Sequence, residues 1–434
     1  MSLWAFRFLL WYIAIMIVQP QHRFGFLFPY RIANLTMILA TALHVAACLT
    51  QHKPVLRFGP ATRLALVLIT FGLLSQYTGA FMTDTSWNSF IDMLVKNAYT
   101  LILIEAMAWS VERVWAVFTT VGISSLWWIK GGLRLSAGNV TWGPGDRIMG
   151  PAAGLVQDPN FFAYMMGVLV PLYFYYYRNG HKAYIRWSAL AVAVFAIFIS
   201  LRTGSRSGLI QLFVLGLVVL PYLVREQKKA LLTAFLGLFL LLPFVGEKNI
   251  ERFQKIPRSI GAYWRNEPEL EKDPDTYSTM ERRTKNRDTW ALIREYPIFG
   301  VGMNPDDTMF KREYWGATGQ VHCEILMAGR QMGLIGMALH VGFLVIPFLM
   351  GIRVERRFRG TWPALSGLGF TIKLQAIMFA VGGSFLPLPW HPLLLVLGGA
   401  SSALWNIVGA LGMKTMIPDE AILDSEETVV ASSL

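Results

Sequence analysis

The chain has 434 residues, of which 54% are hydrophobic and only 15% are charged. An average soluble domain has roughly 25% charged residues, and a soluble protein of this length could not bury so much apolar surface in one core. The composition therefore excludes an array of soluble domains and predicts an integral membrane protein that crosses the bilayer many times.

The net charge points to a membrane rather than to nucleic acid. Lys and Arg number 39 and Asp and Glu number 27, a formal net charge of +12. Such an excess is typical of the positive residues that flank membrane spans on the cytoplasmic side, so we expect no nucleic-acid partner. The two cysteines, Cys48 and Cys323, are too few for a disulfide framework or a cysteine zinc site.

Twelve apolar runs are each about long enough to cross a bilayer, which requires roughly 20 residues. The runs are 3–19, 31–50, 62–82, 89–110, 114–129, 160–177, 186–201, 207–224, 229–246, 322–351, 362–381 and 391–413. The fold predicted is an all-α polytopic membrane protein with about twelve transmembrane helices. The fourth run is the weakest, because Asp92, Lys96 and Glu105 interrupt it. For Asp92, Glu105 and Lys373 we expect structural pairing.

The runs divide the chain into four parts. Residues 1–246 hold nine spans, 247–321 form one large loop, 322–413 hold three spans, and 414–434 form an acidic tail predicted to be disordered. The loop contains 26 of the 66 formal charges of the chain, 13 of each sign. Amphipathic helices are expected at Glu247–Ile260 and Met280–Arg294. Long ordered loops in compact proteins are usually functional.

The basic loops set the predicted orientation. Lys and Arg follow the second, sixth, eighth and tenth spans, and all four loops lie on one side of a twelve-span bundle. That side is therefore predicted to be cytoplasmic, with both termini on it. The 247–321 loop then faces the opposite side of the membrane.

Two arginines break this charge pattern. Arg202 and Arg206, in the Leu201–Gly208 segment, fall at the extracytoplasmic ends of two spans. A guanidinium fork beside the backbone amides of a helix N-terminus is suited to binding a diphosphate. The alternative is a pair of interfacial arginines that bind lipid headgroups.

The loop carries two further candidate sites. Arg287-Asp-Thr-Trp290 ends a basic cluster formed by Arg282, Arg283, Lys285 and Arg287, and it is followed by the turn at 297–302. The alternative is a solvated helix face. His322 lies where the loop meets the bilayer, and desolvation there favours a neutral imidazole that can accept a proton. A His that caps a helix is the alternative. Arg330 lies further along the same span, where a buried arginine is costly and is either functional or structurally paired.

Taken in order, these motifs resemble the O-antigen ligase and polymerase superfamily of bacterial envelope glycan transferases. The resemblance covers roughly 158–336. It rests on Asp158-Pro-Asn-Phe-Phe-Ala163, Thr203-Gly-Ser-Arg-Ser-Gly208, Arg287-Asp-Thr-Trp290 before Pro297-Ile-Phe-Gly-Val-Gly302, and His322 with Gly333 and Gly336. Cys323 stands where the ligases of this family have Asn, Ser or Gln.

The resemblance implies a GT-C-like fold in the bacterial inner membrane, with the active site facing the periplasm. It implies transfer of a glycan from an undecaprenyl-diphosphate-linked donor to a glycan or lipid-linked acceptor, as in lipopolysaccharide or exopolysaccharide synthesis. It also implies contact with membrane lipids. His322 would be the catalytic base, and Arg206 and Arg287 would hold the diphosphate. Further candidates for substrate binding are Arg202, Arg283, Arg330, Asp158 and Asn160.

The sequence gives no sign of a nucleotide loop or a histidine metal site. There is no Gly-x-x-x-x-Gly-Lys loop, and the histidines show no metal-ligand spacing, so we expect no metal, nucleotide or other cofactor. Three alternatives remain open: a polymerase that joins repeat units, a protein O-oligosaccharyltransferase of the same superfamily, and a lipid-linked glycan flippase or other transporter. The absence of a visible inverted repeat argues against the transporter.

Overall fold

A computed structural model of the chain describes residues 2–79, 84–138, 147–151, 156–265, 274–303 and 312–414. The predicted acidic tail, apart from Lys414, lies outside these residues. The described helices are α1 (Ser2–Val18), α2 (Ile32–Thr50), α3 (Pro60–Thr78), α4 (Asp84–Ser89), α5 (Lys96–Met107), α6 (Val111–Ala137), α7 (Pro159–Asn179), α8 (Ala183–Arg202), α9 (Arg206–Glu226), α10 (Lys228–Leu241), α11 (Glu247–Gln254), α12 (Ile256–Arg265), α13 (Pro274–Glu295), α14 (Glu324–Phe358), α15 (Pro363–Gly383) and α16 (Pro392–Lys414).

Each of the twelve predicted apolar runs overlaps a long helix, and the fourth overlaps α4, a π-helical turn at Phe90–Val95, and α5. Six described helices are long and apolar enough to cross a membrane: α2, α8, α9, α14, α15 and α16. A seventh candidate is the bent pair Lys228–Phe244 and Glu247–Arg258, with an angle of 107° between its halves. The part of the chain that the structure describes is thus all-helical, in agreement with a polytopic membrane protein, and the count of twelve crossings stays a prediction.

Small residues let neighbouring helices approach closely. Gly351 on α14 faces Gly369 on α15, and a Cβ atom added to Gly351 would lie 2.6 Å from the carbonyl oxygen of Gly369. A Cβ on Gly369 would in turn lie 2.8 Å from the carbonyl oxygen of Gly351. Helices without a side chain at the crossing gain backbone contact in a membrane, where the hydrophobic effect between helices is weak. This contact fixes α15 against the helix that carries the predicted base at its N-terminal end.

The charges within the apolar runs are paired, as the sequence predicts. Lys96 forms an ion pair with Asp92 one turn earlier, and Lys373 on α15 pairs with Glu355 on α14. Glu105 is fully buried and accepts hydrogen bonds from the Thr62 hydroxyl at 2.9 Å, from the backbone N–H groups of Gly59 and Thr62, and from the Asn406 amide at 3.1 Å. Because a buried charge without partners is costly, these contacts explain how the charges are accommodated.

The described parts of the charged segment, 247–265, 274–303 and 312–321, lie over one end of the bundle. They contain α11, α12, α13 and a 3₁₀ turn at Arg312–Ala317. Their 297–302 turn packs into a break in α14, where Gly333 has a φ of +63° and Leu334 donates its backbone N–H to the Pro297 carbonyl at 2.8 Å. A Cβ on Gly333 would lie 2.3 Å from that carbonyl oxygen. The turn and the helix break therefore fit only with glycine at this position.

Candidate active site

The turn between α8 and α9 presents Arg206 at the first position of α9. Thr203 ends α8, Gly204 adopts a φ of +63°, and Ser205 caps α9 by accepting a hydrogen bond from the Gly208 N–H at 3.2 Å. A Cβ on Gly204 would lie 2.2 Å from the Asn249 side-chain oxygen, so the tight turn requires glycine. The local sequence thus places a guanidinium group at a helix N-terminus, where the helix dipole favours anions.

The start of α7 is joined to this turn by hydrogen bonds. Asp158 caps α7 by accepting two backbone N–H groups of its first turn, at 2.7 and 3.2 Å. The Asn160 side-chain oxygen accepts hydrogen bonds from the Arg147 guanidinium at 2.8 Å and from the Ser205 hydroxyl at 3.0 Å. Arg147 also donates to the Thr203 carbonyl at 2.9 Å. Two sequence motifs about 45 residues apart therefore form one structural unit.

A cavity of about 450 Å³ opens beside this unit, and we call it the site cavity. Arg206, Arg282 from α13, and His322 all line it. Its other lining residues are Ser207, Ile210, Ile256, Ile260, Thr279, Asn286, Ser384 and Phe385. The cavity thus joins two cations and one imidazole to an apolar wall formed by α9 and α12, an arrangement suited to a ligand with an anionic head and an apolar tail.

The cationic character of the site follows from its clustered guanidinium groups. Burial, and then the nearby positive charge of Arg206, lowers the pKa of Arg282 to about 10. Burial, and then Arg252, lowers the pKa of Arg147 to about 10. Both groups remain charged at neutral pH, and Asp158 is the acidic group that favours the charged form of both. Mutual repulsion among the arginines means that a bound anion would be stabilised strongly.

His322 lies just before α14, and one of its ring nitrogens has no hydrogen-bond partner among the described residues. This atom, Nδ1, is buried. Burial, and then the charges of Arg282 and Lys285, lowers the pKa of His322 to about 4, so the imidazole is neutral at neutral pH. Cys323, rather than His322, occupies the N-cap of α14, and it makes no side-chain capping bond. The alternative of a helix-capping histidine therefore does not describe this residue.

Comparison with models of protein families gives a match to part of the chain. Residues 190–341, from α8 into α14, match a family model described as O-antigen ligase. Over this segment, about a third of its length, the chain is similar to O-antigen ligases. The matched segment includes Arg206, Arg282 and His322, the two arginines and the histidine that line the site cavity. No curated protein matches the chain significantly.

Two arginines of the predicted site, Arg283 and Arg287, lie outside the cavity because they are on a different face of α13. Thr279, Arg282 and Asn286 are three and four residues apart, so they share the face that lines the cavity. Arg283 and Arg287 lie one position further round the helix, and neither lines it. The Arg287 side chain is 75% exposed, and its Nε donates to Asp288 at 2.9 Å. The structure therefore does not bring Arg287 to the place that the sequence predicts for it.

Arg330 and Arg202 also lie outside the site cavity and contact neighbouring backbone. Arg330 is buried, and its guanidinium donates hydrogen bonds to the carbonyl oxygens of Ala317 and Gly319, the second at 2.8 Å. It thereby ties the end of the large loop to α14. Arg202 is buried beneath the start of α11, where the Asn249 amide donates to its carbonyl oxygen at 3.2 Å. For Arg330, structural pairing accounts for a buried arginine in a membrane helix.

From the sequence, Arg282 was only one member of the basic cluster, and neither Asn286 nor Arg147 was identified. The spacing of Thr279, Arg282 and Asn286, three and four residues apart, could have indicated that they share one polar face of α13. In the structure this face lines the site cavity together with isoleucines of α12. Arg147 carried no such signal, because its role depends on contacts with Asn160 and Thr203, which are distant in the chain. Among the described residues, no group of three or more His, Cys, Asp or Glu side chains could hold a metal ion.

Proposed function

We propose that the protein is a membrane glycosyltransferase that moves an oligo- or polysaccharide from undecaprenyl diphosphate to an acceptor hydroxyl at the periplasmic membrane face. The observation that carries the proposal is the site cavity, in which Arg206 and Arg282 lie beside the neutral imidazole of His322. The family match over 190–341 supports a ligase-type transferase. An anion clamp beside a proton acceptor is the pair of functions that such a transfer requires.

The arginines act on the leaving group. As the bond between the anomeric carbon and the diphosphate oxygen breaks, the departing diphosphate takes the electron pair, and its charge grows next to Arg206 and Arg282. Guanidinium groups bind phosphate oxygens in a bidentate geometry. The apolar wall at Ile210, Ile256 and Ile260 would contact the first isoprene units of the carrier.

His322 acts on the nucleophile. The acceptor hydroxyl attacks the anomeric carbon from the side opposite to the diphosphate, its proton passes to His322, and the configuration at that carbon is inverted. Burial and the charges of Arg282 and Lys285 lower the pKa of His322 to about 4. A bound diphosphate offsets the charge of Arg282 and raises the pKa of His322 toward the operating pH, so donor binding makes the imidazole a better base.

The direct test follows the release of free undecaprenyl diphosphate by the purified protein in detergent. The donor is an undecaprenyl-diphosphate-linked oligosaccharide, and acceptors are offered as a panel. We expect release in the presence of one acceptor class, and loss of release in His322→Ala with donor binding retained. The matched control is His181→Ala, which removes an exposed histidine outside the site cavity.

The acceptor that supports release separates the members of the superfamily: a core oligosaccharide lipid indicates a ligase, a second carrier-linked repeat unit a polymerase, and a protein an O-oligosaccharyltransferase. Normal release by His322→Ala would remove His322 from the proposed mechanism. Transport of the intact donor across vesicles without any release would contradict the transferase and favour the flippase.

A further inference from the structure

A second cavity lies where the C-terminal ends of α1 and α6 meet, and we call it the α1–α6 cavity. Its volume is about 730 Å³, and it shares no lining residue with the site cavity. Four of its lining side chains are basic or can become so: His22, Arg23, Lys130 and Arg134. None of the described residues that line it is acidic. Nothing in the proposed transfer reaction uses these residues.

The cations of this cavity converge on one aromatic ring. The Arg23 guanidinium lies 5.1 Å from the centroid of Trp127, and the Lys130 ammonium group lies 6.0 Å from the same centroid. Arg134 is one turn beyond Lys130 on α6 and therefore shares its helix face. A cavity lined by charges of one sign concentrates ions of the opposite sign. The geometry therefore favours a bound anion.

The α1–α6 cavity is at the same end of the bundle as the site cavity. A Cβ on Gly132 of α6 would lie 2.8 Å from the Phe162 ring and 3.0 Å from Ile199, which are in the first turn of α7 and the last turn of α8. Pro151 lines the α1–α6 cavity, while Arg147, four residues earlier, donates to the α8–α9 turn. Four residues span at most about 14 Å. Both cavities therefore open toward the same face of the membrane.

A run of exposed aromatic side chains adjoins the α1–α6 cavity. Phe24, Phe26, Phe28 and Tyr30 follow Arg23 in the segment between α1 and α2, and their exposed fractions range from 48% to 69%. So much exposed aromatic surface is unfavourable in water, whereas aromatic rings are stable at the boundary between lipid chains and headgroups. The segment therefore places the cavity at the depth of the lipid headgroups.

We propose that the α1–α6 cavity binds the phosphate-bearing headgroup of an anionic membrane lipid, in the same leaflet as the donor diphosphate. Arg23, Lys130 and Arg134 would contact the phosphate, and the aromatic segment would lie against the lipid chains. The proposal is independent of the transfer reaction, and its test requires no turnover.

The test counts lipids bound to the purified, delipidated full chain by native mass spectrometry in detergent. The probe is dioleoyl phosphatidylglycerol, and the comparison lipid is the zwitterionic dioleoyl phosphatidylcholine. The variant is Lys130→Gln/Arg134→Gln, which changes two exposed side chains and leaves the helix intact. The matched control is Lys228→Gln/Lys229→Gln. These two exposed lysines begin α10, just after the C-terminal end of α9, and neither lines the α1–α6 cavity.

We expect one tightly bound phosphatidylglycerol per wild-type chain, and roughly thirtyfold weaker binding in Lys130→Gln/Arg134→Gln, the effect of removing two cations from an anionic headgroup. The control variant should bind as the wild type does. Equal binding of phosphatidylcholine, or equal losses in both variants, would overturn the proposal. So would displacement of the lipid by millimolar inorganic phosphate, which would identify a free phosphate site. A loss caused by Arg206→Ala instead would place the lipid in the site cavity and equally refute it.

Discussion

Replacement of Arg282 by Gln tests the proposed clamp at a residue whose place in the site cavity only the structure reveals. Arg282 lines the site cavity beside Arg206 and His322, while the adjacent Arg283 does not line it. Arg283→Gln is therefore a control that removes the same charge from the same turn of α13. The pair of variants asks whether position in the cavity, rather than charge in the loop, determines binding of the donor.

The expected magnitude follows from the contacts of a guanidinium with a phosphate. A hydrogen bond to a charged group contributes about 1.5–3 kcal/mol, so the KM for the donor should rise roughly 10- to 150-fold in Arg282→Gln. The unliganded variant should be at least as stable as the wild type, because Arg282 is repelled by Arg206 and Arg252. The rise in Tm caused by added donor should therefore shrink, while the Tm of the unliganded protein should not fall.

The same variant should change the pH dependence. His322 accepts a proton only when it is neutral, and burial and then the Arg282 and Lys285 charges lower its pKa to about 4. For the free enzyme, kcat/KM should therefore fall only as the pH drops toward 4. Removing the Arg282 charge raises the pKa of His322, so the acidic limb of the kcat/KM profile should move to higher pH.

Initial rates of undecaprenyl diphosphate release, measured across donor concentrations and from pH 4 to 9, provide both readouts. Arg283→Gln should leave the donor KM and the acidic limb close to those of the wild type. The assignment of the cavity face of α13 would be refuted if Arg282→Gln left the donor KM and the acidic limb of the pH profile unchanged while Arg283→Gln raised the donor KM strongly. Arg283, rather than Arg282, would then be on the face of α13 that binds the donor.

Three further predictions concern other parts of the site and its support. Arg287→Ala should raise the donor KM less than Arg282→Gln does, because the Arg287 side chain is 75% exposed and lies outside the cavity. Donor titrations of the two variants in parallel measure the difference. An equal or larger rise in KM would show that Arg287 contributes to donor binding. Cys323→Ser should retain transfer and melt at the same or a higher temperature, since Ser is a good N-cap and Cys323 makes no capping bond; loss of activity would show a role for the thiol. Gly333→Ala should lower the free energy of unfolding by about 1–3 kcal/mol, because Gly333 has a φ of +63°. The control is Gly216→Ala, where an added Cβ meets nothing within 4 Å. Equal melting temperatures of the two variants would contradict the fit of the 297–302 turn into α14.

The sequence predicts the helices and the charged segment well, because both depend on composition within short windows. A run of about 20 apolar residues can satisfy its backbone in a bilayer only as a helix, and α8, α9, α14, α15 and α16 lie where such runs occur. His322 and Arg206 were recognisable for a related reason. Each is a polar residue at the end of an apolar run, where its presence needs an explanation.

Only the tertiary structure decided which side chains of α13 face the site. One helical residue corresponds to a rotation of about 100°, so a choice between Arg282 and Arg283, or between Asn286 and Arg287, depends on how α13 packs against α12 and the bundle, which spacing alone does not specify. Arg330 illustrates the same limit, since its carbonyl partners at Ala317 and Gly319 exist only once the loop has closed over α14. The sequence by itself determined that the protein is a helical membrane protein with one charged segment, whereas the contacts that join residues distant in the chain determined which arginines surround His322.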